Sequence, residues 1–449
     1  MWWRALWLML LAGLPGQILA FEAHVLDPSF GVLGKRTVSF DLGDARTDRV
    51  VGAFAAIDGT TVIVGQVSIA GGTRVGLTRL LADGTLDTSF GTGGKLVLDL
   101  CMSRVGGVTY LLGQFLIFGE TTECSTDGTR DLRIARLQAD ASLDPGFGAQ
   151  GVVSTSFKAN ADDSLHAIHR YSDGRLMLLG GAVAQGEAIE RPAGKIVPSD
   201  GIGTLAGFSD AYSGFAEPAR FVSVHAAGSN VYMLIQRDGS TLATSGGIVR
   251  MTSQLVLSQD IPFSGSGTTN VGCTQGAPYR PRALVQVNSH IYAIGNRQAP
   301  TNELFYSSIL VTDNTQGRRT ECFGTTRMLV NGATFDTAFA SGQAWLAGTC
   351  PESIPGGSTA AMCVARLRSN TPDTPQLALD TSFNPDGGLP VNVSFTAAAG
   401  QTPAASGATA LRRVAGRTQI VGTRRWSGAD EDYAIAQLGT PALLRDGFE

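Results

Sequence analysis

The sequence predicts an all-β chain, a seven-bladed β-propeller of four-stranded antiparallel blades. Three observations lead there: a six-residue motif returning about every sixty residues, an apolar strand returning at the same period, and Asp-Gly pairs where hairpins must turn.

The motif comes first because it sets the period. Leu26-Asp27-Pro28-Ser29-Phe30-Gly31 returns as Leu86-Asp87-Thr88-Ser89-Phe90-Gly91 and as Leu143-Asp144-Pro145-Gly146-Phe147-Gly148. A fourth copy is Leu379-Asp380-Thr381-Ser382-Phe383-Asn384. The gaps are 60, 57 and 236 residues, and the last is four times 59. Three degenerate copies are therefore expected between them, marked by Phe208, Phe263 and Phe323.

The apolar strand gives the same count independently. Its members are Val62–Gly65, Leu116–Gly119, Met177–Gly180, Val231–Leu234, Ile291–Gly295, Trp345–Gly348 and Gln419–Gly422. A further strand follows in several units, as Gly76–Leu80, Ile134–Leu137, Cys363–Leu367 and Tyr433–Leu438. In the second unit four strands are predicted at Lys95–Leu100, Gly107–Leu112, Phe115–Glu120 and Leu132–Leu137. Asp58-Gly59, Asp173-Gly174 and Asp238-Gly239 supply turns, because Gly reaches positive φ at no steric cost. A ring of such sheets also covers their faces and leaves few edges.

The motif has a structural chemistry. Leu and Phe four apart in an extended segment point to one side and can both be buried, each Phe contributing about 1.5–3 kcal/mol. The Asp side chain can accept backbone amides and fix a turn. Asp27, Phe30, Asp87, Phe90, Asp144, Phe147, Asp380 and Phe383 are thus read as structural. The string from Arg79 to Lys95, RLLADGTLDTSFGTGGK, resembles the bacterial delta-60 repeat. That resemblance is close over residues 21–160 and 360–395. It implies a β-propeller in an exported or surface-associated bacterial protein, and carries no catalytic residue onto this chain.

Composition excludes several classes. Apolar residues make up 43% and charged residues 16%, which can bury a core and does not suit a disordered chain. With 34 Lys+Arg against 38 Asp+Glu and no basic run, no nucleic-acid partner is expected. Residues 1–20 read as a secretory signal peptide, with a basic start at Arg4, an apolar stretch from Ala5 to Gly16 and a small residue at Ala20. No later segment is long and apolar enough for a membrane span, and no cysteine follows the cleavage point to carry a lipid anchor. The propeller is expected over residues 21–440, and residues 441–449 form a short tail.

Export makes the cysteines legible. Cys101, Cys124, Cys273, Cys322, Cys350 and Cys363 are an even set with no C-x-x-C pair, so three structural disulfides are expected rather than zinc. Cys350 with Cys363 staples a hairpin, Cys101 with Cys124 lies in one repeat, and Cys273 with Cys322 follows by elimination.

Chemistry is sparse. Of His24, His166, His169, His225 and His290, only His166 and His169 lie close, and three apart on a strand they face opposite ways. Neither H-E-x-x-H nor G-x-S-x-G occurs. Asp430-Glu431-Asp432 is read as a solvated loop between strands, as is Asp162-Asp163, and no metal ligand is assigned. Only Trp345 and Trp426 lie beyond the leader, too few for a propeller with one docked tryptophan per blade. No catalytic residue and no cofactor are assigned. The expected function is that of a secreted, monomeric, non-catalytic binding or scaffold protein for an unknown protein or glycan. Loops at Gly181–Arg191 and Pro351–Ala360 would supply contacts. The alternative is a propeller hydrolase or lyase acting on an extracellular polymer.

Overall fold

The computed structural model describes residues 26–439, apart from 43–45, 209–218, 238–245, 264–268, 272–278, 298–302, 311–318, 336–342, 370–376, 384–390, 396–402, 427–429 and breaks of one or two residues. Every element is a strand, and no helix occurs among the described residues. After β1 (Lys35–Val38), the first sheet holds β2 (Asp48–Ala55), β3 (Thr61–Ile69), β4 (Gly72–Leu80) and β5 (Lys95–Leu98) in that order. The second holds β6 (Arg104–Leu111), β7 (Gln114–Thr121), β8 (Asp131–Leu137) and β9 (Val152–Thr155). The third holds β10 (Ala161–Arg170), β11 (Leu176–Ala184), β12 (Arg191–Val197) and β13 (Ala206–Phe208). The fourth holds β14 (Ala219–Ala227), β15 (Asn230–Arg237), β16 (Gly246–Thr252) and β17 (Leu257–Pro262). All four are antiparallel.

The remaining sheets depart from four strands. In the fifth, β18 (Thr269–Val271) adds parallel to β22 (Arg319–Thr325), beyond β21 (Glu303–Leu310), β20 (His290–Arg297) and β19 (Tyr279–Val287). The last sheet counts nine strands and has two halves. One half is β23 (Leu329–Phe335), β24 (Gln343–Ile354) and β25 (Gly357–Ser369), edged by β26 (Leu377–Leu379) and β27 (Val391–Val393). The other is β28 (Pro403–Val414), β29 (Arg417–Trp426), β30 (Glu431–Leu438) and β1. The halves meet through one parallel pair, Ala360 with Ala405. The cause is the length of the β24–β25 hairpin, which pairs continuously to Ile354 and Gly357. The loop expected at Pro351–Ala360 is instead, over its described residues, paired strand: Pro351 lies opposite Ala360 and Ile354 opposite Gly357.

The inner strands β2, β6, β10, β14, β19, β23 and β28 pack on one another in that order, and β28 returns to β2. Each carries a register shift at the same place: after Val50, Val105, Leu165, Phe221, Pro281, Val330 and Ala408. A bulge adds twist and turns one residue out of the ladder, which suits strands converging on an axis. Apolar side chains fill the spaces between neighbouring sheets. In one such layer Val62, Leu77 and Phe90 of the first sheet pack with Phe115, Ile117 and Leu137 of the second. This is a β-propeller fold.

The sequence repeat and the sheet are out of phase by one strand. Lys95–Leu98, expected to open the second unit, instead pairs with β4 as the outer strand of the first sheet. The same displacement makes β1 the outer strand of the last sheet, with Lys35 opposite Ala436 and Val38 opposite Tyr433.

The motif turn precedes that outer strand. Asp27 and Asp87 each accept the amide of the residue two ahead at 3.0 Å, and Asp144 does so at 2.9 Å. Phe30, Phe90 and Phe147 are buried. A partner absent from the sequence reading holds the Asp from the preceding strand. Arg79 meets Asp87 at 2.7 Å, Arg136 meets Asp144 at 2.8 Å, and Arg366 meets Asp380 at 2.7 Å. Each guanidinium also lies over the motif ring, at 4.9 Å from Phe90, 4.6 Å from Phe147 and 5.1 Å from Phe383. Gly31, Gly91 and Gly148 sit at φ near 56°, a conformation that favours glycine. Gly31 and Gly148 donate to the carbonyls of Asp83 and Asp200 on the following sheet, both at 2.7 Å.

The degenerate marks fall elsewhere. Phe208 lies within β13, opposite Gly194, where Leu96 stands opposite Leu77 in the first sheet. Phe263 caps β17 and is buried against Tyr279 and Phe305, while Phe323 lies within β22. None occupies the turn before an outer strand. In the third and fourth sheets the chain passes into the outer strand through short connections, without the anchor turn.

Candidate functional site

The bulges put a recurrent side chain at one end of the inner strands. Two residues before each shift stand Arg49, Arg104, Ser164, Arg220, Arg280, Leu329 and Gly407, four arginines in seven positions. Within the shifts themselves lie, among others, Val51, His166, Arg282 and Thr409. The sheets thus bring to one end of the strands residues that are far apart in the chain.

Their partners differ around the axis. Arg49 and Arg425 both bind the buried carboxylate of Glu431, Arg425 Nε at 2.7 Å. A cavity of about 440 Å³ opens there, walled by these three with the hydroxyls of Ser406, Thr409 and Thr423. Arg104 Nε donates to Glu120 at 2.7 Å, and Glu120 also accepts the Leu165 amide at 3.1 Å. Next to this pair, His166 Nε2 meets Glu190 at 3.1 Å. Farther round, Arg220 meets the Gln236 amide oxygen at 3.3 Å. Arg282 is pushed down by burial and further by the neighbouring charges of Arg220 and Arg280. Among the described residues no carboxylate pairs with Arg220, Arg280 or Arg282. The site is therefore neutralised on one side and carries surplus positive charge on the other. It can hold an anion, because guanidinium groups offer paired donors to carboxylate, sulfate or phosphate.

The sequence missed these arginines, although a signal exists. Arg-Val-Val-Gly, Arg-Val-Gly-Gly, Arg-Phe-Val-Ser and Arg-Pro-Arg-Ala begin at positions 49, 104, 220 and 280, in phase with the repeat. His166 and His169 do not follow simple strand parity, since the shift after Leu165 breaks the alternation. His166 faces Glu190, whereas His169 packs edge-on against Tyr171 at 5.0 Å. His225 meets Gln286 at 2.8 Å, His290 is buried, and His24 lies outside the described residues. Glu431 and Asp432 open β30, and Asp162 and Asp163 belong to β10; neither group is a loop.

Two disulfides join described residues, Cys101–Cys124 with Cα atoms 6.3 Å apart and Cys350–Cys363 at 5.8 Å. The first ties the segment before β6 to the segment after β7, and the second staples the β24–β25 hairpin. Cys322 is disulfide-bonded in β22, and Cys273 lies outside the described residues. No helix among the described residues is long and apolar enough to cross a membrane.

A family model agrees on the class. Fold and sheet order define a β-propeller of repeated units. Residues 58–90 and 113–147 match a family model described as a β-propeller domain of unknown function, DUF5122. No curated protein matches the sequence. Among solved structures, the chain resembles the β-propeller domain of the Trilobed protease from Pyrococcus furiosus at 7% identity and a TM-score of 0.42, covering 87% of this chain and 96% of that one. It resembles Drosophila Semaphorin 2a at 8% identity and a TM-score of 0.49, covering 90% and 75%. It resembles Pyrococcus horikoshii acylaminoacyl peptidase at 8% identity and a TM-score of 0.43, covering 86% of this chain and 52% of that one, so it spans about half that protein's length.

Proposed function

We propose that this chain is an exported, seven-bladed, monomeric propeller that binds an anionic ligand at the arginine-bearing end of its inner strands, without transforming it. The observation that carries the reading is the cluster of Arg220, Arg280 and Arg282, in which Arg282 faces the like charges of the other two and none has a carboxylate partner among the described residues. An acidic glycan is the ligand class that suits it, since a run of carboxylates matches guanidinium groups spread around a mouth. Seven inner strands, each with a bulge at the corresponding place, support the blade count. The apolar leader and the disulfides support export, with residues 21–440 as the domain and 441–449 as a tail.

Calorimetric titration with oligogalacturonate tests the reading. Binding should weaken as salt rises, and Arg280→Ala with Arg282→Ala should cost about tenfold in affinity, or about 1.4 kcal/mol. Retention of full affinity in that double variant sinks it. A second reading rests on His166–Glu190 beside Arg104–Glu120, which sets a histidine and two carboxylates together. That grouping suits proton transfer in a hydrolase or lyase acting on an extracellular polymer. New reducing or unsaturated ends on incubation with the polymer, lost in His166→Ala, would favour it.

A further inference from the structure

We propose that Asp41, Asp48 and Asp432 form a calcium site that fastens the joint between the last sheet and the first. The three carboxylates come from three places: Asp41 follows β1, Asp48 opens β2, and Asp432 lies in β30. One oxygen from each lies within 4.8 Å of the others. Oxygens bound to one calcium ion at about 2.3–2.6 Å stand within about 5 Å of each other, so the spacing suits this ion. Magnesium, at about 2.0–2.1 Å, asks for a tighter set.

A second observation points to a ligand. Asp48 is 1% exposed, and its Oδ1 is buried with no hydrogen-bond partner. Its other oxygen accepts the Phe40 amide at 2.5 Å. A buried carboxylate oxygen left bare carries a large desolvation cost, which a cation would remove. Asp430 supplies another unpartnered buried oxygen and is coupled to Asp41 and Asp432. Asp432 Oδ2 accepts the Trp426 indole N–H at 2.6 Å, which fixes one side of the group. The charges facing it are the four carboxylates, the Arg424 guanidinium beside Asp432, the Arg46 guanidinium beside Asp430 and the neutral Tyr433 phenol near Asp48. Four negative and two positive charges leave an excess of two, which one divalent ion neutralises.

The full chain, stripped with EGTA, should gain about 3–5 °C in thermal midpoint at saturating calcium chloride. Calorimetry should count one ion of this class per chain. Asp48→Asn should abolish the calcium-dependent rise while leaving the calcium-free midpoint at or above wild type, because it removes a buried charge. Asp41→Asn, at an exposed position, should keep the fold and weaken calcium about tenfold. Terbium bound there should show emission sensitised by Trp426, lost in Trp426→Phe, while that variant keeps its calcium response. A midpoint unmoved by calcium up to 10 mM, or a full response in Asp48→Asn, overturns the proposal.

Discussion

Two joints between neighbouring sheets share one plan and differ in how they treat its charge. At the closing joint, Asp48 of β2 lies near Asp432 of β30 and accepts the amides of Phe40 and Asp41. At the joint between the second and third sheets, Asp163 of β10 lies near Asp131 of β8 and accepts the amides of Phe157 and Lys158. Both buried aspartates leave Oδ1 unpartnered. Burial, offset only partly by those amides, pushes Asp48 up to about 6 and Asp163 up to about 7. The difference lies in what stands beside them. The second joint has Lys195, whose ammonium donates to Thr155 at 3.0 Å and faces Asp131 and Asp163, and Lys158 replaces Asp41. The closing joint has a third carboxylate instead. At the second joint one lysine faces two carboxylates; at the closing joint four carboxylates outnumber two guanidinium groups, and the excess is left for an ion from solution.

That contrast can be broken in order of expected effect. Removing residues 1–38 deletes β1 and with it the buried Phe30 and Val38, about 1.5–3 kcal/mol each, besides the pairing to β30. Such losses are comparable with the whole stability of a domain, so the truncated chain should lose its cooperative thermal transition. A sharp melt within a few degrees of wild type would count against the closure described here.

Lys195→Met should destabilise by about 2 kcal/mol at pH 8, by chemical denaturation, because it leaves two neighbouring carboxylates without their cation. Calcium should not restore it. Lowering the pH to 5 should restore most of it, since Asp163 then takes up a proton.

The pH profile of the wild-type chain sharpens the same point. A carboxyl whose folded pKa is raised above its unfolded value makes the folded state bind more protons. Stability contributed by Asp48 and Asp163 is therefore full below about pH 4, falls as pH rises through 6 to 7, and stays lost above. Calcium should offset the share from Asp48 alone, so its stabilising effect should be larger at pH 7.5 than at pH 5. An equal effect at both values contradicts the assignment.

The smallest effect belongs to Tyr433, whose hydroxyl donates to the Gly76 carbonyl at 3.1 Å inside the closing joint. Tyr433→Phe should cost about 1 kcal/mol, read from a denaturant midpoint, with the calcium response intact.

Sequence reading went far with the fold and little way with the sites, for physical reasons. The period was visible because the anchor turn needs particular residues: an Asp that caps amides, a Phe that fills a gap, a Gly at positive φ. Where the third and fourth sheets dispense with that turn, the demand vanishes, and Phe208 and Phe263 were marks without the structure. Strand phase was hidden, since nothing in Lys95–Leu98 says which neighbour it pairs with. The arginines recur in phase with the repeat, but the bulges that gather them at one end of the strands leave no residue signature of their own. Asp41, Asp48 and Asp432 are gathered only when the two ends of the chain meet, so no local spacing could have announced them.

The pairing of Lys35–Val38 with Tyr433–Ala436 has a consequence for how the molecule is made. Synthesis delivers residue 35 long before residue 433, so the first strand must wait, unpaired, for its neighbour to emerge. Contacts this distant in sequence form late and slowly. Until β30 is made, the joint between the last sheet and the first stays open, so the ring of sheets locks only at the end of synthesis.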